Sequence, residues 1–261
     1  MITVHDLHFA YPSGQPVFSG FDWTVKAGET WAVLGPSGCG KTTLLYMLAG
    51  LRLPVRGQVS INRQPITRPR PQTGLILQDY GLLPWATVRD NVLIGLKLRK
   101  FYGPDGRHAP REDRVNRLPL VDRWLNRLGL AAVAKQFPGQ LSGGQRQRTA
   151  IARTLVLEPD LLLMDEPFAS LDAPTREGLQ NLLLELRAEQ NLTTIIVTHA
   201  IEEAAFLGRK ILVLRQPPIT EPAVVDNPGA DIEPRGVYRG TPRYLEMCIR
   251  LRTLLEESRH S

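Results

Sequence analysis

The sequence predicts an α/β protein built on a mostly parallel sheet, and three observations carry that prediction. Short runs of consecutive apolar residues alternate with helical stretches. A glycine-rich segment, Gly35 to Thr42, joins one such run to a helix, and another run ends on two adjacent acids, Asp165 and Glu166. Strands buried on both faces show no polar alternation, and open parallel sheets present ligands at the carboxyl ends of their strands. With 261 residues, 43% of them hydrophobic, the chain can bury the core that such a sheet needs.

In chain order, Val4 to Tyr11 and Gly20 to Val25 are extended runs broken by Pro12-Ser13-Gly14 and Ala27-Gly28, which predicts antiparallel strands at the margin of the domain. The apolar runs Thr30 to Leu34, Thr73 to Leu77, Leu161 to Met164, Thr193 to Val197 and Lys210 to Leu214 read as the core strands. Residues 82 to 158 lack strand patterning, while Val121 to Leu128 and Gln145 to Leu157 carry helical periodicity, so a mostly helical subdomain is expected there. Prolines between Gln216 and Pro234 predict loop, followed by a last helix near Tyr244 to Glu256.

Composition narrows the function classes. Two cysteines, Cys39 and Cys248, make a disulfide framework improbable and suit a reducing compartment. The start, Met1 to Asp6, lacks a signal-type leader, and no apolar run spans a bilayer, so any membrane role is expected to come from a partner. A net charge of +6 suits an anionic partner: nucleic acid, the inner leaflet or nucleotide phosphates. Lys97, Arg99, Lys100, Arg107, Arg111, Arg114, Arg117, Arg123 and Arg127 lie among Asp105, Glu112, Asp113 and Asp122, which reads as a solvated helical face.

Gly35-Pro36-Ser37-Gly38-Cys39-Gly40-Lys41-Thr42 fits the phosphate-loop pattern between a strand and a helix that runs through Leu44, Leu45 and Leu48. Its glycines let backbone amides curl around phosphate oxygens, and the helix start adds positive potential. Lys41 is placed to reach the β and γ phosphates and Thr42 to ligate Mg²⁺, with Thr43 counted among the nucleotide-binding residues. Cys39 reads as a small packing residue. Its nearness to a helix start also raises the expectation of a depressed thiol pKa, with alkylation inhibiting and MgATP protecting.

Leu161 to Met164 delivers Asp165 and Glu166 at a strand's carboxyl end. Asp165 is expected to hold Mg²⁺ through water opposite Thr42, and Glu166 to orient and deprotonate the attacking water. Leu141-Ser142-Gly143-Gly144-Gln145 opens a further helix with a capping serine and two glycines that leave its amides uncovered. One chain thus holds two phosphate-seeking helix starts. In a head-to-tail pair the second would close over the γ-phosphate held by the other copy.

On these motifs the sequence resembles the ATP-binding cassette family, whose signature reads as Leu141 to Gln145 does, from about residue 2 to 215. The resemblance implies a P-loop NTPase core over 1–240, with an inserted helical signature subdomain at about 82–158 and a helical tail at 241–261. It also implies that Tyr11 stacks on adenine, Gln78 touches Mg²⁺ and water, Ser170-Leu171-Asp172 crosses the dimer interface and His199 contacts the γ-phosphate. Lys41, Gln78, Glu166 and His199 are then the catalytic set, Thr42, Gln78 and Asp165 the metal set, and Asp172 joins the nucleotide-binding residues. His5, His8, His108 and His260 match no motif.

After Gln78, Asp79 to Val92 includes the step Leu83-Pro84-Trp85, as in the importer subfamily for nitrate, sulfonates, taurine and related small solutes. An apolar step with a rigid proline suits a groove for a helix of a membrane partner, with a buried Pro-Trp corner as the alternative. The implied protein is an ATPase using ATP and Mg²⁺, paired with a second copy and with permease subunits, and indirectly with a periplasmic or surface solute-binding protein. Its place would be the cytoplasmic face of the inner membrane. Phe101 to Pro119 is longer and more Arg-rich than the subfamily pattern, and the likeness fades beyond Arg215. The rivals fit less well. A cassette ATPase acting on nucleic acid lacks its coiled coil or second cassette here, so nucleic acid is not an expected partner, and a small-molecule kinase leaves Leu141 to Gln145 unexplained.

Overall fold

The computed structural model describes residues 2–12, 14–102, 118–231 and 235–257. The Arg-rich stretch from Arg107 to Arg117, along with His108 and His260, lies outside the described residues. Two kinds of strand sort into two sheets. An antiparallel sheet in the order β2-β1-β4-β5 joins β1 (Ile2–Ala10), β2 (Pro16–Val25), β4 (Arg56–Ile61) and β5 (Gln64–Pro65). The second sheet runs β10-β9-β3-β8-β7-β6, from β3 (Thr30–Leu34), β6 (Thr73–Ile76), β7 (Leu161–Asp165), β8 (Thr193–Thr198), β9 (Lys210–Val213) and β10 (Ala223–Asp226). It is parallel throughout except where β10 meets β9.

Period-two geometry divides the parallel sheet's apolar residues between two cores. Leu161 and Leu163 of β7, with Ile195 and Val197 of β8, pack toward α1 (Lys41–Leu48) and the antiparallel sheet. Leu162, Met164 and Ile196 pack on the opposite side with α2 (Val88–Tyr102), α3 (Leu118–Arg127) and α4 (Gly143–Leu155). The same core takes Leu179, Leu183 and Leu186 of α5 (Ala173–Gln190). A third cluster sets Met247, Cys248 and Leu251 of α8 (Pro242–Glu257) against Ala204 and Ala205 of α6 (Ile201–Leu207) and against Ala32, Ile211 and Val213 of the sheet.

Three strands differ from expectation. In β4 only Val59 and Ile61 are buried near its end, and positive φ at Asn62 (51°) and Arg63 (64°) lets a two-residue turn fold β5 back on it. β10 lies within the stretch expected as loop. It is four residues long at a sheet edge with Val225 buried, and an edge tolerates the flanking prolines Pro222 and Pro228.

Beyond β10 the chain clasps α6. The Asn227 side chain is buried and donates to the carbonyls of Ala205 (2.7 Å) and Gly208 (2.8 Å) at the end of that helix. Tyr238, closing α7 (Arg235–Tyr238), donates its hydroxyl to Asn227 Oδ1 at 2.8 Å. Arg239 then pairs with Glu177 of α5 at 2.7 Å, donates to Gln180 and lies 4.0 Å over the Phe206 ring of α6.

Candidate active site

Every strand of the parallel core that bears a chemical residue delivers it at its carboxyl end. β3 leads into Gly35 to Thr42, β6 into Gln78, β7 ends on Asp165 with Glu166 next, and β8 leads into His199. The strand order β3-β8-β7-β6 therefore sets these residues side by side along one edge.

The loop owes its shape to local constraints. Gly40 has φ 105°, and a Cβ there would meet Val17 at 2.5 Å, so this position accepts only glycine. Lys41 is 5% exposed and donates to the carbonyls of Gly35 (2.9 Å) and Pro36 (2.8 Å), which orients the ammonium within the loop. Ser37 and Gly38 are exposed at its tip. Cys39 is fully buried, and burial pushes its thiol up against the opposing pull of Lys41. The expectation of a depressed, reactive Cys39 thiol is corrected accordingly: burial outweighs the pull of the Lys41 charge and of the backbone amides of Lys41 and Cys39.

Thr42 donates its hydroxyl to Asp165 Oδ1 at 3.1 Å across 123 residues of sequence. Asp165 is buried, and desolvation raises its carboxyl; Glu166 adds to the rise, while Thr42 and Lys41 oppose it. Glu166 adopts φ 44°, unusual for a residue with a side chain, and its amide donates to Val197 O at 2.9 Å. That twist leaves its carboxylate 3.1 Å from Nδ1 of the exposed His199. Tyr11 is 37% exposed; its hydroxyl pairs with Thr43 Oγ1 at 2.7 Å and Arg52 lies over its ring at 5.1 Å. Gln78 is exposed two residues past β6.

The second helix start is assembled elsewhere in the chain. Ser142 caps α4 by accepting from Gln145 N at 3.3 Å, while the Gln145 side chain accepts from Ser142 N at 2.9 Å. A Cβ on Gly143 would touch Leu171 at 3.3 Å, and one on Gly144 would strike Thr175 at 2.4 Å. Gly144 is therefore required for α4 to approach α5. Asp172 caps α5 by accepting from Thr175 N at 3.0 Å. Ser142 to Gln145 and Ser170 to Asp172 thus form one surface, to which Tyr80 contributes a hydroxyl 2.6 Å from Ser170 Oγ.

Three supporting residues escaped the sequence reading. Arg153 donates to Tyr80 O at 2.7 Å and to Gly81 O, which fixes the turn beyond Gln78. Asn91 is fully buried; Leu83 N donates to its Oδ1, and its Nδ2 donates to the carbonyls of Leu83, Ala86 and Thr87 at 2.9–3.1 Å. This clamp holds the Leu83-Pro84-Trp85 step with Trp85 74% exposed, so the buried-corner alternative fails. Glu203 is buried at the start of α6, where Thr198 donates to it at 2.7 Å. An asparagine and a glutamate at helix starts give no signal of burial in sequence alone.

A phosphate loop after one strand and two consecutive acids at the end of another strand of the same sheet, joined in one chain to a serine-capped Leu-Ser-Gly-Gly-Gln helix, define an ATP-binding cassette. The chain matches the family described as ABC transporter over residues 18–169 and belongs to it as an ATPase. It is 40% identical over 218 residues to the taurine import ATP-binding protein TauB of Escherichia coli (strain K12), covering 84% of this chain and 81% of that protein. It is 42% identical over 212 residues to TauB of Pelagibacter ubique (strain HTCC1062), covering 80% and 76%. The dimeric post-hydrolysis structure of the cassette MJ0796 bound to ADP and Pi is similar, with a TM-score of 0.72, 30% identity, and coverage of 85% of this chain and 98% of that one. The structure of cbiO1 from Clostridium perfringens, part of the ABC transporter complex cbiONQ, is also similar (TM-score 0.72, 28% identity, coverage 92% and 93%).

Proposed function

We propose that this chain energises import of taurine or a related small sulfonate, working as a pair of copies on separate permease subunits at the cytoplasmic face of the inner membrane. Among the described residues no helix is long and apolar enough to cross a membrane, so the solute path is assigned to the permease, fed by a solute-binding protein. The exposed Trp85, held on the Asn91 clamp, suits a contact for a permease helix.

The observation that carries the catalytic reading is the strand-end row of Lys41, Thr42, Asp165, Glu166 and His199. Lys41 and the loop amides hold the β and γ phosphates. Mg²⁺ fits this row: Thr42 and Asp165 are already in contact, and Asp165 is a carboxylate whose charge burial disfavours. When bound, the ion would neutralise charge on the phosphates, with Thr42, Asp165 and Gln78 as its holders. Glu166 accepts the proton of the attacking water, and His199, at 3.1 Å, orients that carboxylate and faces the γ-phosphate. Ser142, Gly143 and Gly144 of the other copy complete the phosphate cage, with Asp172 beside them.

The test is a pair of variants. Glu166→Gln should lower turnover by about 100-fold or more while retaining ATP, and should accumulate an ATP-dependent dimer in size-exclusion chromatography. Ser142→Arg should still bind ATP but neither dimerise nor hydrolyse it. Full hydrolysis by Ser142→Arg would rule out a site shared between copies.

A further inference from the structure

The chemistry of the strand-end row needs a route to the surface formed by Ser170 to Asp172, and one buried side chain lies between them. Glu203 is 7% exposed, which is costly for a carboxylate unless both oxygens are used. Oε2 accepts from the Thr198 hydroxyl at 2.7 Å, and Thr198 Oγ1 in turn accepts from Ala200 N at 3.0 Å. These two bonds pin the turn that carries His199. Oε1 faces Arg176 Nε at 3.9 Å, and Arg176 Nη2 donates to the carbonyl of Leu171 at 2.8 Å. Glu203 therefore has one oxygen on the histidine turn and one directed, through Arg176, at the segment that meets the other copy.

We infer that Glu203 and Arg176 are positioning residues that tie the His199 turn to Ser170-Leu171-Asp172, so that occupation of one site sets the surface presented to its twin. This rests on the shared-site reading given above. Two features separate the pair from a plain structural ion pair. Its 3.9 Å separation is about 1 Å longer than a charge-assisted hydrogen bond, and Arg176 Nε is buried with no hydrogen-bond partner, so the link has room to shorten.

Glu203→Gln cuts the link on one side only. The amide oxygen still accepts from Thr198, but the amide NH₂ then faces the Arg176 guanidinium, donor against donor. The expected result is a turnover about 10-fold lower, with the ATP KM within about twofold of wild type and the Hill coefficient for ATP falling toward 1. Arg176→Gln should give a similar loss, and the double variant should lose no more than either single variant, as expected of residues acting as one unit. Thermal unfolding midpoints establish that each variant is folded. Where Glu203→Gln does not fold, Arg176→Gln and Arg176→Lys carry the test, with Lys recovering part of the turnover. Unchanged turnover and cooperativity in a folded variant, a loss confined to KM, or losses that multiply in the double variant would overturn the link. Full hydrolysis by Ser142→Arg would instead overturn the shared-site reading on which it rests.

Discussion

Burial and the adjacent Glu166 push the Asp165 carboxyl above the usual carboxylate range, against Thr42 and Lys41. An acid whose folded pKa exceeds its unfolded value binds its proton more tightly in the folded chain. Stability therefore falls as pH rises from 3.8 through the raised value, and the ionised group is a standing cost at neutral pH. Asp165→Asn should raise the unfolding temperature of the nucleotide-free protein by a few degrees at pH 7, the gain shrinking as pH is lowered toward 4, and should abolish the additional stabilisation that Mg²⁺ gives with ATP. Differential scanning calorimetry across pH checks both. At Cys39 the expected outcome is slow alkylation in the folded protein and fast alkylation in denaturant, followed by mass spectrometry. Among the candidate site residues, Lys41, Thr42, Asp165 and Glu166 were legible because each follows or ends a core strand inside a local pattern, whereas Gln78 and His199 were reached only through the family resemblance. Glu203, Asn91 and Arg153 were not legible, because what marks them is burial, and their partners lie 4 to 73 residues away.

Among the elements, the core strands announce themselves because burial on both faces demands unbroken apolar runs, and Leu161 to Met164 meets that demand at every position. β10 does not, since an edge strand with one buried residue leaves no such record. The clasp that follows it was likewise invisible, being built from single long-range contacts. Arg239 contributes three of them, to Glu177, Gln180 and Phe206, and so fastens α5 to α6. Arg239→Ala should cost about 1–2 kcal/mol, combining a partly exposed ion pair, a hydrogen bond and a cation–π contact. The urea midpoint measures this, and a loss below a few tenths of a kcal/mol would show that the clasp is held by Asn227 and Tyr238 alone.

At the scale of the whole molecule, the phosphate loop and the capped start of α4 belong to different supports: one to β3 and α1, the other to α5 and the turn at Tyr80. If each nucleotide needs one of each from different copies, a Lys41→Ala chain and a Ser142→Arg chain, each inactive alone, should regain ATPase activity when mixed. In the mixed pair one site carries both defects and the other carries neither. Activity that stays at the level of the parents would argue for two self-sufficient sites. The arrangement at Ser142 also determines what may sit between the copies. Its oxygen accepts from Gln145 N, which leaves the hydroxyl proton, with the amides of Gly143 and Gly144 that the helix cannot use, available for donation. Such a rim attracts only groups rich in lone pairs. If the site is shared as proposed, a terminal phosphoryl group would act as mortar between two such halves, and its departure as inorganic phosphate would leave nothing of the right polarity to hold them shut.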